Sequence, residues 1–431
     1  MTDRTTELSN VDKRHIWHPF TQMKAWCAAD HEPLVLVEGE GALLRDSRGR
    51  EYVDGNSSIW TNIHGHGHPG IMAAIRDQAG RLAHCSFLGS SNEPAIRLAG
   101  ELVAMAPGDH LTKVFYSDDG STSVEVAIKM ALQYWQLTGN PGRDRFVAFD
   151  MAYHGDTAGA ASLGGLGSFF ERFAPVHFSP VRVADMQGLK AMPPGDSSRV
   201  AAVIIEPLVQ GAAGIRLWPE GMLRELRAWC DATGCLLIFD EVLTGFGRTG
   251  RMFACEQEGV APDFLCLAKG LTGGTLPLAA TLTTERIFEA FLGEFEELKT
   301  FFYGHSYCGN PLGCAAARAS LAVFRNERTL DNLQAKIRLL TSLLEGISRS
   351  PHVAEVRQRG FIAGIEIQEH PGQPFDWRKG TGARVCLAAR KHGLLTRPIL
   401  DTIALIPPLC ITGAQLEKAA DALEAAIAEV C

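Results

Sequence analysis

Two nearby stretches decide the fold: LLIFDEVLTGFGRTG at residues 236–250 and FLCLAKG at residues 264–270. Each begins with an uninterrupted apolar run, which is typical of a buried strand in a parallel sheet. The first run ends at Asp240 and the second leads to Lys269, so both side chains are predicted at the carboxyl edge of the sheet, where ligands of α/β folds bind. Desolvation at that edge would lower the pKa of Lys269 and make its amine a nucleophile for Schiff-base formation.

Both residues also have an ordinary structural interpretation. Lys269 could extend from a strand end into water, and Asp240 could cap a helix or pair with a cation. The glycine-rich loop at residues 244–250 favours a shared role, because it lies between the aspartate and the lysine strand. An aspartate and a strand-end lysine on neighbouring strands suit pyridoxal 5′-phosphate, whose ring nitrogen needs an acidic partner and whose aldehyde needs an amine.

Outward from this pair, short apolar runs alternate with amphipathic helical patterns. The predicted strands are Lys113–Tyr116, Phe146–Asp150, Val200–Ile205, Leu236–Phe239, Phe264–Leu267 and Leu278–Leu282. This alternation predicts a mostly parallel central sheet covered by helices on both faces, and therefore the α/β class. A large domain is expected at residues 66–325, and a smaller α+β domain at residues 1–65 and 326–431, from both chain ends.

The stretch FYSDDGST at residues 115–122 predicts a phosphate site. Gly120 and Ser121 lie between a strand and a predicted helix, where free backbone N–H groups and the positive end of the helix dipole attract anions. Ordinary N-capping by Ser121 or Thr122 explains the pattern equally well. Asp118 and Asp119 would repel a phosphate, so at least one of them is expected to face elsewhere.

Two more polar residues follow predicted strands. Tyr153 could stack on a flat heteroaromatic ring, although a half-buried core aromatic is the plain alternative. Glu206 could support the Schiff base from another strand end, but Pro207 could equally hold it as a surface carboxylate in a turn. The sequence His64-Gly65-His66-Gly67-His68 resembles a metal cluster, yet its glycines and the lack of a nearby carboxylate or cysteine argue against a metal site.

The composition excludes several classes of protein. The chain has 431 residues, with 41 Lys and Arg against 49 Asp and Glu, a net charge of −8. This balance, without a long basic run, argues against nucleic-acid and membrane-surface partners. No apolar stretch is long enough to span a bilayer and the start lacks a signal-peptide pattern, so a cytoplasmic protein is expected. The eleven cysteines contain no CxxC pair, which argues against a disulfide framework or structural zinc.

In this order, the motifs resemble those of the class III pyridoxal-phosphate aminotransferases of fold type I, over nearly the whole chain. Within that class the chain is most similar to the biotin-pathway branch, which converts 8-amino-7-oxononanoate to 7,8-diaminononanoate. The stretches that carry this likeness are HIWHPFTQM at 15–23, MALQYW at 130–135, YHGDT at 153–157, GHSY at 304–307 and TRP at 396–398.

The resemblance implies roles around the cofactor. Lys269 would form the Schiff base and move the reacting proton, and Asp240 would keep the pyridine nitrogen protonated. Tyr153 and Val242 would enclose the ring, with Tyr153 also close to the chemistry. The further cofactor contacts implied are Gly120, Ser121 and Glu206, together with His305 and Ser306, which in this family reach across the interface of an obligate homodimer.

The resemblance also implies a substrate pocket and a ping-pong reaction. Arg397 would bind the carboxylate of 8-amino-7-oxononanoate in a bidentate manner. The other residues implied in this pocket are Phe20, Ile59, Trp60, Tyr153, Lys269 and Gly304. A donor amine would first leave its amino group on the cofactor, and the ketone of the acceptor would then take it.

Three positions leave the amino donor open. Phe20, Ile59 and Ala404 replace residues that are commonly aromatic or hydroxylated in the branch that uses S-adenosylmethionine. Each change removes surface on which an adenine or a sulfonium could stack. S-adenosylmethionine is the expected donor, with lysine as the alternative, and another class III diamine or ω-amino-acid aminotransferase is the alternative function. A non-catalytic protein on this fold is disfavoured, because Lys269 and Asp240 are both present.

Overall fold

The computed structural model describes residues 3–431. Its strands are β1 (Leu36–Glu40), β2 (Leu43–Asp46), β3 (Glu51–Asp54), β4 (Leu111–Ser117), β5 (Arg145–Phe149), β6 (Val181–Val183), β7 (Val200–Ile205), β8 (Val209–Gln210), β9 (Arg216–Leu217), β10 (Leu236–Asp240), β11 (Phe264–Leu267), β12 (Ala279–Thr284), β13 (Val353–Arg359), β14 (Ile362–Ile367), β15 (Leu394–Leu395), β16 (Pro398–Ile399) and β17 (Thr402–Leu405).

Helices cover the sheets and connect the strands. The helical segments are Arg4–His15, Met23–Trp26, Ser57–Trp60, Pro69–Arg81, Glu93–Met105, Gly120–Leu137, Ala158–Leu163, Gly167–Phe170, Met186–Lys190, Pro194–Ser197, Met222–Thr233, Glu285–Ala290, Pro311–Asn326, Thr329–Ile347, Thr381–Lys391 and Gly413–Val430. Short 3₁₀ helices lie at Glu171–Val176, Ala254–Gln257, Lys269–Thr272, Phe295–Glu297 and Trp377–Lys379.

The central sheet has the strand order β4-β12-β11-β10-β7-β5-β6. Neighbouring strands pair in parallel except at β12, which is antiparallel to both β11 and β4. Every residue of β7, β10 and β11 is buried, as expected for strands covered on both faces. The predicted α/β fold with a mostly parallel sheet is confirmed. The three-residue strand β6 was not predicted, because its apolar run is too short to give a pattern.

The parallel strands bring three polar residues to one edge of this sheet. Asp240 is the last residue of β10 and lies opposite Cys266 of β11. Lys269 follows the end of β11 after one intervening residue, and Glu206 follows the end of β7 directly. Because parallel strands all end on the same side, the register of β7, β10 and β11 fixes these side chains as neighbours.

The helix at Gly120–Leu137 begins four residues earlier than the apolar periodicity predicts. The side chain of Asp119 accepts a hydrogen bond from the Thr122 N–H (2.9 Å), and the Thr122 hydroxyl accepts one from the Asp119 N–H (2.9 Å). This capping box satisfies N–H groups that have no partner inside the helix. The polar first turn is therefore helical although it contributes no apolar residue to the pattern.

Two smaller sheets, β1-β2-β3-β15 and β13-β14-β17-β16, flank the central sheet. In the first, β15 from the C-terminal part of the chain pairs in parallel with β3, placing Leu394 opposite Val53. A Cβ on Gly55 would lie 2.6 Å from the Leu394 side chain, so only glycine permits this approach. The domain boundaries at residues 65 and 325 stay a prediction.

The histidines of the HGHGH stretch have separate partners. His64 is buried and hydrogen bonds with the Ser320 hydroxyl (3.1 Å), whereas His68 pairs with Glu327 (2.9 Å). Across residues 3–431, no group of three or more His, Cys, Asp or Glu side chains is arranged to hold a metal ion. All eleven cysteines carry free thiols. None of the helices in the described chain is both long and apolar enough to cross a membrane.

Candidate active site

A cavity of about 430 Å³ opens at the carboxyl edge of the central sheet. It brings together eight of the residues that the sequence predicted for the site. These are Trp60, Gly120, Ser121, Tyr153, Glu206, Asp240, Val242 and Lys269. Thirteen further residues complete its wall, including a turn at residues 274–278.

Lys269 lies at the centre of this cavity. Burial of its ammonium lowers the pKa from 10.5 to about 8, although the nearby Asp240 and Glu206 carboxylates oppose this shift. The Trp60 ring faces the amine, with 5.1 Å between Nζ and the ring centroid. A lysine with a depressed pKa has a substantial neutral fraction near pH 8, and the neutral amine is the form that attacks a carbonyl carbon.

Asp240 is held in place by two donors. Its Oδ2 accepts a hydrogen bond from His154 Nδ1 (2.7 Å), and its Oδ1 accepts one from the Val242 N–H (3.1 Å). The His154 side chain is fully buried, and its Nε2 has no hydrogen-bond partner within residues 3–431. Only the tyrosine of the YHG motif was predicted to have a role, because a sequence pattern does not show that the adjacent histidine points toward the aspartate.

Glycines form the predicted phosphate cradle. Gly120 begins its helix, so its N–H group and that of Ser121 have no partner inside the helix. A Cβ on Gly120 would lie 2.6 Å from a Val242 methyl, and one on Gly155 would lie 2.0 Å from the Ser121 hydroxyl oxygen. Ser121 Oγ accepts from the Asp156 N–H (2.9 Å), which leaves its own proton free to donate. The cradle therefore has donors and open space for an anion.

The two aspartates before this helix are engaged by other groups. Asp119 caps the helix, and Asp118 pairs with His305 through Oδ2 and Nδ1 (2.8 Å). The second ring nitrogen of His305 contacts the Tyr303 hydroxyl (3.0 Å). Within one chain, His305 therefore pairs with a carboxylate beside the cradle and does not line the cavity.

Glu206 supports the backbone around the cavity. Its carboxylate accepts hydrogen bonds from the N–H groups of Tyr153 (3.1 Å) and Gly211 (2.9 Å). Burial raises its pKa from 4.5 to about 7. Glu206 thus connects the loop after β5 to the turn between β8 and β9, and it holds the Tyr153 backbone in place. The Tyr153 hydroxyl donates to Asp156 (2.7 Å), and its ring stacks on Phe170.

Six predicted residues lie outside the cavity wall: Phe20, Ile59, Gly304, His305, Ser306 and Arg397. Phe20 is 66% exposed and packs edge-on against Phe169, which in turn contacts Tyr153. Ile59 is about half exposed. Ala404 is fully buried in β17 and is not part of the cavity wall.

Arg397 is a partly buried cation near the cavity. Burial lowers the pKa of its guanidinium, and its charge acts on the Tyr153 phenol. Its side chain forms neither a salt bridge nor a hydrogen bond with the described part of the chain. Since burying an unpaired charge is costly, such a guanidinium is suited to bind an anionic group of a ligand.

Trp60 reaches the cavity through an unusual backbone turn. Ser57, Ser58, Ile59 and Trp60 all have left-handed φ angles, between 47° and 76°. For residues other than glycine this conformation costs about 1–2 kcal/mol each. The Trp60 indole N–H donates to the Asn56 side-chain oxygen (2.9 Å), which fixes the ring. This turn was not predicted, because residues 57–60 contain no glycine that would have indicated a left-handed backbone.

Known proteins resemble this chain over nearly its whole length. Residues 26–427 match the family described as Aminotransferase class-III. The adenosylmethionine-8-amino-7-oxononanoate aminotransferase of Geobacter sulfurreducens is 46% identical over 445 residues, which cover 98% of each chain. Among solved structures, the adenosylmethionine-8-amino-7-oxononanoate aminotransferase of Methanocaldococcus jannaschii has a TM-score of 0.96 at 42% identity, covering 98% of this chain and 99% of that one. A PLP-bound amine transaminase from an uncultivated Pseudomonas species has a TM-score of 0.88 at 35% identity, covering 97% and 99%.

Replacing Lys269 should stabilise the protein when it is free of cofactor. The folded pKa of about 8 lies below the unfolded value near 10.5, so the folded state holds a charged lysine at pH 7 at a cost. Lys269→Met removes this cost, and we expect a gain of about 2–3 kcal/mol in the free energy of unfolding at pH 7. Urea unfolding measures the gain.

The gain should depend on pH in one direction. Between pH 8 and 10.5 the unfolded wild type binds more protons than the folded one, so wild-type stability rises and the difference from Lys269→Met shrinks. The exposed Lys418→Met is the control, and should change stability by less than about 0.5 kcal/mol. A variant that is less stable than wild type at pH 7 would contradict the strained-lysine account.

Proposed function

This chain belongs to the class III aminotransferase family, and on that basis we propose that it transfers an amino group to the ketone of 8-amino-7-oxononanoate. The product is 7,8-diaminononanoate, an intermediate of biotin synthesis, and the donor is S-adenosylmethionine. The names of the similar Geobacter and Methanocaldococcus enzymes support this reaction. The observation that carries it within this chain is the unpaired guanidinium of Arg397 beside the lysine cavity.

The residues of the cavity fit pyridoxal 5′-phosphate. The glycine cradle at Gly120 and Ser121 offers N–H donors for a phosphate, and the Asp240 carboxylate suits a protonated ring nitrogen. The Lys269 amine suits the aldehyde. When bound there, the cofactor supplies a carbonyl that takes up the amino group and a conjugated ring that delocalises electrons.

Each protein group then has a task that follows from its surroundings. His154 donates to Asp240 and so fixes the orientation of this carboxylate, which would pair with a protonated ring nitrogen. Lys269, with its depressed pKa, is suited to accept a proton from the substrate carbon that carries the amino group and, once protonated, to donate a proton again. Glu206 keeps the Tyr153 backbone in place, so that the phenol forms one wall of the cavity. Trp60 and Val242 close the cavity on other sides and exclude water.

The acceptor is selected by charge and by shape. A carboxylate at one end of 8-amino-7-oxononanoate would pair with Arg397, and its chain would run along apolar wall toward Lys269. Truncating one partner of such a half-buried charge pair typically costs 2–5 kcal/mol, so the pair can discriminate strongly between ketones. An uncharged ketone would leave the guanidinium unpaired and would bind more weakly.

We expect the direct test to be formation of 7,8-diaminononanoate. The protein loaded with pyridoxal phosphate is incubated with 8-amino-7-oxononanoate and either S-adenosylmethionine or lysine, and the product is measured by mass spectrometry. Product with S-adenosylmethionine supports the proposal in full. Product with lysine alone assigns Phe20 and Ile59 to a different donor specificity. Absence of product with either donor, while other ω-amines react, would overturn the acceptor.

The variant Arg397→Met sharpens this test. Its KM for 8-amino-7-oxononanoate should rise by at least about 30-fold, which corresponds to about 2 kcal/mol. The methyl ester of the acceptor should lose far less, because it carries no carboxylate. The exposed Arg384→Met is the matched control, with an unchanged KM. Equal losses for the acid and the ester would remove Arg397 from acceptor binding.

We also infer a cytoplasmic homodimer, with His305 and Ser306 contributing to the partner's site. The loop that carries them exposes two aromatic side chains, Phe302 (77%) and Tyr307 (61%), which supports an interface at this surface. Light scattering should therefore give twice the 46.7 kDa chain mass. A monomer that nevertheless shows full activity would contradict the shared site.

A further inference from the structure

The HGHGH stretch makes a partly buried contact whose role the sequence did not predict. His66, its middle histidine, bonds with Asp54 through Nε2 and Oδ2 (2.9 Å). Its Nδ1 contacts the Asn62 side-chain amide (3.0 Å). Since an amide NH₂ can only donate, Nδ1 is the acceptor of this bond. The proton of the ring is therefore on Nε2, which donates a hydrogen bond to Asp54. The carboxylate of Asp54 therefore has a defined orientation.

Asp54 uses that orientation to hold the left-handed turn. Its Oδ1 accepts from the N–H groups of Asn56 (3.3 Å) and Ser58 (3.1 Å). Its Oδ2 also accepts from the Ser58 hydroxyl (3.2 Å). Asp54 is 2% exposed, so its carboxylate is largely shielded from bulk water. One carboxylate thus satisfies the start of a turn whose backbone conformation is unfavourable by itself.

His66 is itself fixed from both sides. Its backbone exchanges two hydrogen bonds with Gly41, N–H to carbonyl at 2.7 Å and carbonyl from N–H at 3.0 Å. A Cβ on Gly39 would lie 2.8 Å from the His66 side chain, so strand β1 packs directly against the ring. The network therefore transmits the position of the β1–β2 hairpin to the turn.

The turn in turn sets one wall of the active site. Its last residue, Trp60, is anchored to Asn56 and faces the Lys269 amine at 5.1 Å. On the other side, a Cβ on Gly211 would lie 3.2 Å from the Trp60 ring, so the indole is confined between the β8–β9 turn and the lysine. A rotation of the turn would displace this ring from the cavity.

We propose that Asp54, oriented by His66, is a positioning residue for the substrate: it fixes the Ser57–Trp60 turn and thereby the Trp60 wall beside Lys269. Neither residue lines the cavity, so both act through Trp60. The kinetic part of this inference rests on the proposed aminotransferase function, whereas the structural part does not.

The test uses Asp54→Asn and His66→Ala in the full-length protein. Each variant is labelled with 5-fluorotryptophan, and the fluorine resonance of Trp60 is assigned among the seven tryptophans with Trp60→Phe. Loss of the turn contacts should shift or broaden the Trp60 resonance. In parallel, KM for the ketone acceptor should rise about tenfold, with kcat changed by less than about threefold. His66→Gln retains an amide donor toward Asp54 and should recover most of the wild-type KM.

Two matched controls separate positioning from general loosening. Asp46 is equally buried in the adjacent strand β2 and accepts from Arg48, Arg50 and Tyr52, but holds no part of the turn. Asp46→Asn and His68→Ala should leave the Trp60 resonance and the KM unchanged, whatever they do to the melting temperature.

The outcomes are distinct. A Trp60 resonance that moves in Asp54→Asn and His66→Ala, but not in the controls, supports the proposal even if no acceptor is turned over. An unchanged resonance in both variants overturns it, and so does an equal effect in Asp46→Asn. Absence of wild-type turnover with every ketone and donor would instead refute the proposed function, which the fluorine spectra do not depend on.

Discussion

Parallel pairing of β10 with β11 is the constraint on which the rest of the site depends. It places Asp240 opposite Cys266 and brings Lys269 to the same edge of the sheet. Since side chains alternate along a strand, the next residue, Glu241, points to the opposite side, where it accepts from the N–H groups of Ala254 and Cys255. A slip of one residue would turn Asp240 away from the cavity and Glu241 toward it.

The site stores several unfavourable elements that the surrounding structure holds in place. The Lys269 ammonium is withdrawn from water, the Glu206 carboxylate is buried, and four residues adopt left-handed backbone angles. The Glu206 carboxylate is compensated by hydrogen bonds from backbone N–H groups, and the start of the turn by the Asp54 carboxylate. The Lys269 ammonium is compensated only by the nearby Asp240 and Glu206 carboxylates. This is the pattern expected where function, and not stability, selects the side chains. The burial that lowers the pKa of Lys269 also suits its amine to act as a nucleophile.

Sequence patterns predicted the central sheet and its polar edge well, because buried parallel strands appear as continuous apolar runs. Asp240, Lys269, Glu206 and the glycine cradle were all found in this way, and the cavity contains them. His154 and Asp54 were not predicted, because no local periodicity in the sequence encodes their contacts. His154 contacts a residue 86 positions away along the chain, and Asp54 contacts residues 4 and 12 positions away. Of the residues assigned by resemblance alone, Trp60 and Val242 line the cavity, whereas Phe20, His305 and Arg397 lie outside its wall. The roles of all of them stay predictions.

Borohydride trapping identifies directly which lysine reacts with pyridoxal phosphate. The protein is loaded with pyridoxal phosphate, reduced with sodium borohydride, digested and analysed by mass spectrometry, so that any lysine joined to the cofactor keeps a stable pyridoxyl group. We expect the pyridoxyl group on Lys269 of the wild type and no pyridoxyl group on the Lys269→Met variant. A pyridoxyl group on a different lysine of the wild type, or an unchanged yield in the variant, would contradict it.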